Sequence, residues 1–230
     1  SRRMVPPLAL DIDGTLTTPD GRIDPRVFER LPTWGAPVVF ATGKAFPYPV
    51  ALATFLGLPI CVIAENGGVV HADDETSIRA NPAAPEAAAE AFLERGGTLG
   101  WGTDETVNRW RETEVAAAPD ADESLLRSVT ETTDSVEVVD TGYAFHLKSP
   151  TVSKGDGLRL VCETLDLDPD AFVAIGDSEN DVSTFGVAGR SYAVANADQA
   201  ATAAADVVLE ESFADGTMAV LDTLQKAADS

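Results

Sequence analysis

Residues 8–17 read LALDIDGTLT, and this stretch decides the predicted fold. Its first part, Leu8–Leu10, is an apolar run typical of a strand that is buried on both faces of a parallel sheet. The run ends in two acidic residues, Asp11 and Asp13. An unpaired buried carboxylate is costly and two neighbouring ones repel each other, so the sequence predicts a neutralising positive charge beside them.

Similar apolar runs follow along the chain. They are PVVFAT (37–42), PICVIA (59–64), AFVAIGD (171–177), SYAVANA (191–197) and DVVLEES (206–212). Segments with helical spacing lie between most of these runs, so that strands and helices alternate. This alternation predicts an α/β fold whose core is a doubly wound, Rossmann-like parallel sheet.

The middle of the chain has a different pattern, in which helices and strands are more segregated. It contains the helix-like runs PEAAAEAFLERGG and DESLLRSVTET, followed by the β-like runs DSVEVVD and YAFHLKS. This pattern is typical of a small α+β unit, and the Asn81-Pro82 and Ser149-Pro150 steps mark its boundaries. We therefore predict a core formed by residues 1–80 and 150–230, with residues 81–149 inserted as an α+β cap.

The charge of the chain is strongly negative. Sixteen basic and thirty-eight acidic residues give a formal net charge of −22. Nucleic acid binding needs a basic face that displaces counterions, so this balance argues against it. Scarce lysine and acidic turn segments resemble the surfaces of proteins from salt-accumulating archaea, which predicts a halophilic protein. An ordinary acidic protein is the alternative.

The sequence also predicts where in the cell the protein is located. No apolar run approaches the roughly 20 residues that span a membrane, and the initial SRRM does not lead into a signal-peptide apolar core. We therefore expect a cytoplasmic protein without membrane contact, either a monomer or a homodimer. Cys61 and Cys162 lie in apolar and helix-like surroundings, which favours packing over a disulfide.

Several polar residues fall at or just after the ends of predicted strands, where open parallel sheets collect ligands. They are Asp11, Asp13, Thr42, Gly43, Asp177, Asn180 and Asp181. Lys154 begins a helix-like segment and can point into the same crevice. Clustered carboxylates suit a hard cation such as Mg²⁺, while a lysine and a hydroxyl suit phosphate oxygens. A shielded carboxylate can attack phosphorus, and a second one can act as general acid and base.

Four motifs in this order carry a family resemblance: DIDGTLT, ATGK, SKGDGL and GDSENDVSTF. They resemble the motifs of the haloacid dehalogenase-like (HAD) phosphatases. The resemblance implies Asp11 as nucleophile and Asp13 as general acid and base that also offers its backbone carbonyl to Mg²⁺. It further implies phosphate binding by Thr42, Gly43, Lys154 and Asn180. The metal ligands would then be Asp11, Asp13, Asp177 and Asp181.

The inserted segment carries a narrower resemblance. Its position after ENGG resembles the subgroup with a C2-type cap, and RET (111–113) and DTGYAFHLKSP (140–150) resemble archaeal phosphoglycolate phosphatases. This implies a small phosphorylated metabolite, 2-phosphoglycolate, as the substrate. Arg111 either binds the substrate carboxylate with its guanidinium or forms a surface salt bridge. Lys44 departs from the arginine that often follows the glycine in related proteins, which leaves its role open.

Other interpretations of these residues remain. A sugar-phosphate phosphatase or a phosphosugar mutase would share the fold, and a receiver-type phospho-acceptor module or a silent binding protein would share some residues. A receiver, however, carries its aspartate after a middle strand of an uninterrupted, shorter domain. The DIDGT segment also lacks the third acidic position and distal glutamate of a calcium loop. For His71 and His146 we expect packed or surface side chains rather than ligands or bases.

Overall fold

The structure is a computed structural model that describes residues 4–101 and 105–230. Residues 1–3 and 102–104, which belong to the predicted core and cap respectively, lie outside the described residues. In the described part of the chain, no helix has both the length and the apolar character that crossing a bilayer needs. Two separate β-sheets organise the fold.

The larger sheet has eight strands in the order β11-β10-β9-β1-β2-β3-β4-β5. Their bounds are β1 Leu8–Leu10, β2 Val38–Ala41, β3 Val62–Ala64, β4 Val69–Ala72, β5 Glu75–Ile78, β9 Val173–Gly176, β10 Arg190–Ala193 and β11 Val207–Val208. All pairs from β11 to β3 are parallel, whereas β4 and β5 add an antiparallel hairpin at one edge. The predicted α/β class with a doubly wound parallel core is confirmed.

Helices cover both faces of this sheet. They are α1 Pro25–Arg30, α2 Pro47–Phe55, α5 Lys154–Leu165, α6 Val182–Val187, α7 Gln199–Ala204 and α8 Phe213–Asp229. Leu8 and Leu10 pack into the apolar cluster on one face, and Ala9 packs into the cluster on the other. A strand covered on both sides needs apolar residues at every position, which explains the continuous run that opens the sequence.

The smaller sheet has three antiparallel strands in the order β6-β8-β7. These are β6 Val115–Ala117, β7 Glu137–Asp140 and β8 Phe145–Lys148, and the neighbouring helices are α3 Ala83–Glu94 and α4 Glu123–Glu131. Phe145 and Leu147 of β8 pack with Phe92 of α3 and Leu126 of α4 in a separate apolar cluster. Because side chains alternate along a strand, His146 and Lys148 lie on the opposite face of β8.

The predicted domain boundaries fall between the two sets of strands. The strands of the large sheet lie within residues 8–78 and 173–208, and those of the small sheet within residues 115–148. The division into a core (1–80 and 150–230) and a cap (81–149) stays a prediction. We use these two names below for those residue ranges.

Candidate active site

The predicted catalytic residues follow the central strands of the large sheet directly. Asp11 comes after β1, Thr42 after β2 and Asp177 after β9, and these three strands are hydrogen-bonded neighbours. After β1 the chain builds the sheet outward through β2 and β3, and later through β9 and β10 on the other side. The carboxyl end of β1 is therefore at the topological switch point, where open α/β sheets form their ligand crevice.

Lys154 supplies a positive charge beside the acidic residues. It is the first residue of α5, and the Ser153 hydroxyl caps this helix by accepting a hydrogen bond from the Asp156 amide. The Lys154 ammonium is fully buried and donates to Asp11 Oδ1 at 2.9 Å and to Asp181 Oδ1 at 2.8 Å. Although burial disfavours the ammonium, these two carboxylates raise the pKa of Lys154, so it stays charged.

One lysine does not neutralise the cluster. One carboxylate oxygen each from Asp11, Asp177 and Asp181 lies within 4.8 Å of the others, and all three side chains are buried. Burial, together with the charge of Asp11, raises the pKa of Asp177 and of Asp181 above the usual range of aspartates. The three carboxylates thus form an oxygen-only site with excess negative charge, which fits a hard divalent cation.

The two acids of the GDSEND segment hold different local contacts. Asp181 Oδ2 accepts from the backbone amides of Asp177 and Ser178, at 2.9 and 3.1 Å, and this fixes the turn after β9. Asp177 Oδ1 accepts from the Ser178 hydroxyl at 2.6 Å. The Asp177 carboxylate therefore accepts fewer hydrogen bonds than that of Asp181, which both positions the turn and binds Lys154.

Asp13 lies outside the carboxylate cluster, on the wall of the adjoining cavity. Burial raises the pKa of its carboxyl, an effect that Lys44 opposes from 3.5 Å. A carboxyl of raised pKa is suited to exchanging protons near neutrality. The contact of its backbone carbonyl with a metal stays a prediction.

The ATGK segment forms another side of the site. Thr42 is buried, and its hydroxyl accepts a hydrogen bond from the Lys44 amide at 3.0 Å. Its own O–H remains available to donate to a phosphate oxygen. Lys44 lies 5.2 Å from the centre of the Tyr48 ring as well as near Asp13, so its charge contributes to the cavity wall.

A group of cap residues faces this segment. Arg111 Nη1 donates to the Gly43 carbonyl at 2.7 Å and to Glu114 Oε1, and its side chain is 4% exposed. Of the two roles left open for Arg111, the structure contains a salt bridge, which is buried rather than at the surface. Binding of the substrate carboxylate by Arg111 stays a prediction. Asn66 of the core donates to Glu114 Oε2 at 3.0 Å, and the Asn180 amide donates to Asn66 at 2.9 Å.

The cap and core enclose one small cavity at this place. Its volume is about 90 Å³. Its lining includes Asp11, Asp13, Thr42, Gly43, Lys44, Arg111, Tyr143, His146 and Asn180. Pockets for drug-sized ligands usually measure about 300–1,000 Å³, so this cavity suits a substrate of few atoms.

Gly14 and Tyr143 lie close to Asp177, one of the three clustered acids. A Cβ at Gly14 would lie 2.0 Å from Asp177 Oδ2 and 2.7 Å from the Tyr143 hydroxyl, and the φ of Gly14 is +80°. Tyr143 belongs to the turn between β7 and β8, so the cap reaches the carboxylates themselves. Burial and the charge of Asp177 raise the pKa of the Tyr143 phenol, which keeps it a hydrogen-bond donor.

The comparison with known families agrees with this geometry. Haloacid dehalogenase-like hydrolases match residues 8–95 and 117–221. The chain belongs to this family. As a haloacid dehalogenase-like hydrolase, it is similar to a phosphoglycolate phosphatase of Halorubrum lacusprofundi, with 68% identity over 96% of this chain and 98% of the relative. A phosphoglycolate phosphatase of Natronomonas pharaonis is 52% identical over 95% of this chain and 97% of the relative.

Solved structures support the fold of this hydrolase. A crystal structure from Thermoplasma acidophilum matches with a TM-score of 0.83 and 26% identity, covering 97% of this chain and 99% of the other. A haloacid dehalogenase-like hydrolase from Bacteroides thetaiotaomicron has a TM-score of 0.75 at 19% identity, covering 97% of this chain and 100% of the other. The second likeness shows the fold alone.

The structure brings all the predicted site residues of this hydrolase to one place, and their roles stay predictions. Sequence reasoning missed the contribution of Tyr143, Glu114 and Asn66. It also treated His146 only as a packed or surface side chain, whereas it is both packed against Glu114 and part of the cavity wall. The alternation of β8 was the signal that could have placed His146 on the face toward the core.

Proposed function

We propose that this hydrolase is a Mg²⁺-dependent phosphomonoesterase that converts 2-phosphoglycolate to glycolate and phosphate. The observation that carries the proposal is the convergence of Asp11, Lys154 and two further acids at one strand edge, beneath a small cavity with a basic cap residue. The names of the Halorubrum and Natronomonas relatives support the substrate. We place the enzyme in the cytoplasm, with small phosphorylated metabolites as its partners and with neither nucleic acid nor a membrane.

The proposed metal site consists of Asp11, Asp177 and Asp181, with the backbone carbonyl of Asp13. Haloacid dehalogenase-like hydrolases generally use Mg²⁺, and the oxygen-only donor set fits that ion. When bound, Mg²⁺ would offset the carboxylate charge and that of a substrate phosphate.

The proposed mechanism uses two carboxylates in two steps. Asp11 attacks phosphorus, and the bond between phosphorus and the ester oxygen breaks, which leaves an aspartyl-phosphate on Asp11. Asp13 gives its proton to the departing glycolate oxygen. Asp13 then takes a proton from water, and the water oxygen attacks phosphorus and releases Asp11 and inorganic phosphate.

Other residues bind the phosphoryl group and limit water. Lys154, Thr42 and Asn180 would offer donors to the phosphate oxygens, with the Gly43 backbone closing that side. Arg111, which contacts the Gly43 carbonyl through Nη1, would meet the substrate carboxylate from the cap side of the cavity. The cap covers the site, and movement of the cap would admit water only after the phosphoenzyme has formed.

A substrate panel tests the proposal. At high salt with Mg²⁺, we expect 2-phosphoglycolate to have a higher kcat/KM than an aryl phosphate or a sugar phosphate, and chelation of the metal to stop turnover. Asp11→Asn should lower kcat by at least about 10⁴-fold. Asp73→Asn, at an exposed aspartate in the β4–β5 turn, is the matched control and should leave kcat unchanged.

Faster hydrolysis of sugar phosphates would replace the proposed substrate. Turnover retained by Asp11→Asn would contradict covalent catalysis at that residue.

A further inference from the structure

His146 is the cap residue whose chemistry the mechanism above does not use. It lies on β8, it is 3% exposed, and it lines the cavity. Its Nδ1 lies 2.9 Å from Glu114 Oε1. Within the part of the chain that the structure describes, no hydrogen bond to its Nε2 is present. A ring nitrogen that makes no hydrogen bond to the protein, on a residue that lines the cavity, can bind a molecule held there.

Glu114 fixes the orientation of this imidazole. Its carboxylate is fully buried and also accepts hydrogen bonds from Arg111 and from Asn66 of the core. Burial alone would raise the pKa of Glu114, but the charges of His146 and Arg111 hold it below the usual value, so the group is ionised. An ionised carboxylate only accepts, and therefore Nδ1 of His146 carries a proton.

The other edge of the ring faces the ATGK segment. A Cβ at Gly43 would lie 2.9 Å from Cε1 and 3.1 Å from Nε2 of His146. Gly43 follows Thr42, which is proposed to bind phosphate, and its carbonyl accepts from Arg111. A small molecule whose phosphate meets Thr42 would therefore lie within reach of Arg111 and His146.

The hydrogen bonds at this place favour a carboxylate on the substrate. Arg111 Nη1 and His146 Nδ1 share one acceptor, Glu114 Oε1, and both side chains line the cavity. A substrate carboxylate would add a charged acceptor beside these two side chains, whereas a hydroxyl would add an uncharged one.

We propose that His146, oriented by Glu114, is a specificity-determining residue that donates from Nε2 to the substrate carboxylate, beside Arg111. The site then selects a short phosphorylated hydroxy acid over a phosphate ester of equal length that has no carboxylate. This inference rests on the proposed function of the same site, and it names a residue that distinguishes the substrate from similar phosphate esters.

The first test compares two substrates that differ only at the far end. They are 2-phosphoglycolate and ethylene glycol monophosphate, in which a hydroxymethyl group replaces the carboxylate. For His146→Gln we expect a loss in kcat/KM of about 10- to 100-fold on 2-phosphoglycolate, as for one charge-assisted hydrogen bond, and less than about 3-fold on the other ester. The matched control is His71→Gln, on β4 outside the cavity lining, which should change neither value.

A second test uses the unaltered protein and does not depend on turnover. The chain has two histidines, so its imidazole ¹⁵N signals are assigned with His71→Gln alone. We expect 3-phosphonopropionate, a non-hydrolysable analogue of 2-phosphoglycolate, to shift the Nε2 resonance of His146. An equal concentration of 3-hydroxypropylphosphonate, which lacks the carboxylate, should leave that resonance in place.

The outcomes separate the inference from the function on which it rests. Equal losses of kcat/KM on both esters in His146→Gln would overturn the role of His146. An Nε2 resonance that does not shift when 3-phosphonopropionate binds would overturn it as well. A wild-type enzyme that prefers sugar phosphates overturns the proposed function instead, and this is read from the panel without any variant at His146.

Discussion

At the scale of single residues, the account depends on how closely the cap and core side chains approach the acidic cluster. Asp11, Asp177 and Asp181 share a buried site with Lys154, and Gly14 leaves no room there for a side chain. Deep burial makes these charges strongly dependent on one another, because water does not screen them. Small changes at this place should therefore have large effects on activity.

Gly14→Ala should inactivate the enzyme by displacing Asp177. The new methyl group would lie 2.0 Å from Asp177 Oδ2, and a left-handed φ adds about 1–2 kcal/mol of backbone strain. We expect kcat to fall by at least about 100-fold, since misplacement of a reacting group by about 1 Å costs that much. Gly21→Ala is the matched control, because Gly21 has a φ of +84° with nothing within 4 Å.

In urea denaturation, Gly21→Ala should lose only the stability that the left-handed φ costs, Gly14→Ala should lose at least as much, and only Gly14→Ala should lose activity. Equal activity in the two variants would show that the contact between Gly14 and Asp177 has no catalytic consequence.

Asp177→Asn should make the metal-free protein more stable at neutral pH. The pKa of Asp177 is raised from 3.8 in the folded state by burial and by Asp11, so the unfolded chain ionises first. Stability is then fully present below about pH 4 and is lost as the pH rises toward the raised folded-state pKa. Because asparagine does not ionise, the melting temperature of the variant minus that of wild type should grow between pH 4 and pH 8 in chelator.

Saturating Mg²⁺ should make wild type more stable than Asp177→Asn. Wild type should gain about 2.7 kcal/mol when Mg²⁺ is present at 100 times its Kd, and the variant should gain much less. A variant that gains as much as wild type would remove Asp177 from the proposed metal site.

At the scale of elements, the cap loop at residues 111–114 is tied to the core through Glu65. This glutamate follows β3, is fully buried, and has a φ of +48°. Its carboxylate accepts hydrogen bonds from the amides of Glu112 and Thr113, at 2.9 to 3.0 Å, and from the Thr113 hydroxyl at 3.0 Å. The same loop carries Arg111 and Glu114, so Glu65 positions the residues that face the substrate.

Glu65→Ala should loosen this connection. We expect a loss of about 3 kcal/mol in the free energy of unfolding, because the amides of Glu112 and Thr113 and the Thr113 hydroxyl lose their acceptor. We also expect kcat/KM for 2-phosphoglycolate to fall by about 10-fold or more, since a smaller fraction of molecules would hold the loop in place. Glu112→Ala, which removes an exposed side chain of the same loop, is the control and should change neither quantity.

Unchanged kcat/KM in Glu65→Ala would show that the loop keeps its position without this connection.

Most elements of the core could be predicted from the sequence, because buried parallel strands are continuous apolar runs. The β4–β5 hairpin was missed for a physical reason. Its two-residue turn is Asp73-Asp74, with both residues at positive φ, and it lacks the glycine by which such turns are usually recognised. The short strand β6 was missed as well, because VAA has no strong β propensity.

The residues of the core motifs could be predicted because each one directly follows a strand or begins a helix. The residues on the cap side of the site could not be predicted from the sequence, because their positions depend on how the cap sheet lies over the core. Nothing local to Glu65 or Glu114 indicates that a buried glutamate would find a partner across that junction. Their contacts join residues about fifty positions apart in the sequence.

At the scale of the whole molecule, the net charge of −22 should make stability depend on salt. Self-repulsion of the folded state weakens as the Debye length falls from about 10 Å at 0.1 M to about 3 Å at 1 M. The Halorubrum and Natronomonas relatives come from halophilic archaea, which agrees with a salt-rich setting. We expect the melting temperature to rise by about 10 °C, or about 3 kcal/mol, between 0.1 M and 2 M KCl.

Choline chloride separates screening from specific ion binding. A similar rise in choline chloride would indicate screening, whereas a rise in KCl alone would indicate bound K⁺. A melting temperature that does not respond to either salt would contradict the halophilic interpretation.

The central claim is that phosphate passes through a covalent bond to Asp11. Acid quenching of the Asp13→Asn variant during turnover of a ³²P-labelled aryl phosphate tests it most directly. An aryl oxide leaves without help from a general acid, whereas loss of the general base should slow hydrolysis of the phosphoenzyme. The account predicts hydroxylamine-labile label on the peptide that contains Asp11, and none in an Asp11→Asn, Asp13→Asn double variant. Label on another residue, or equal label in the double variant, would contradict it.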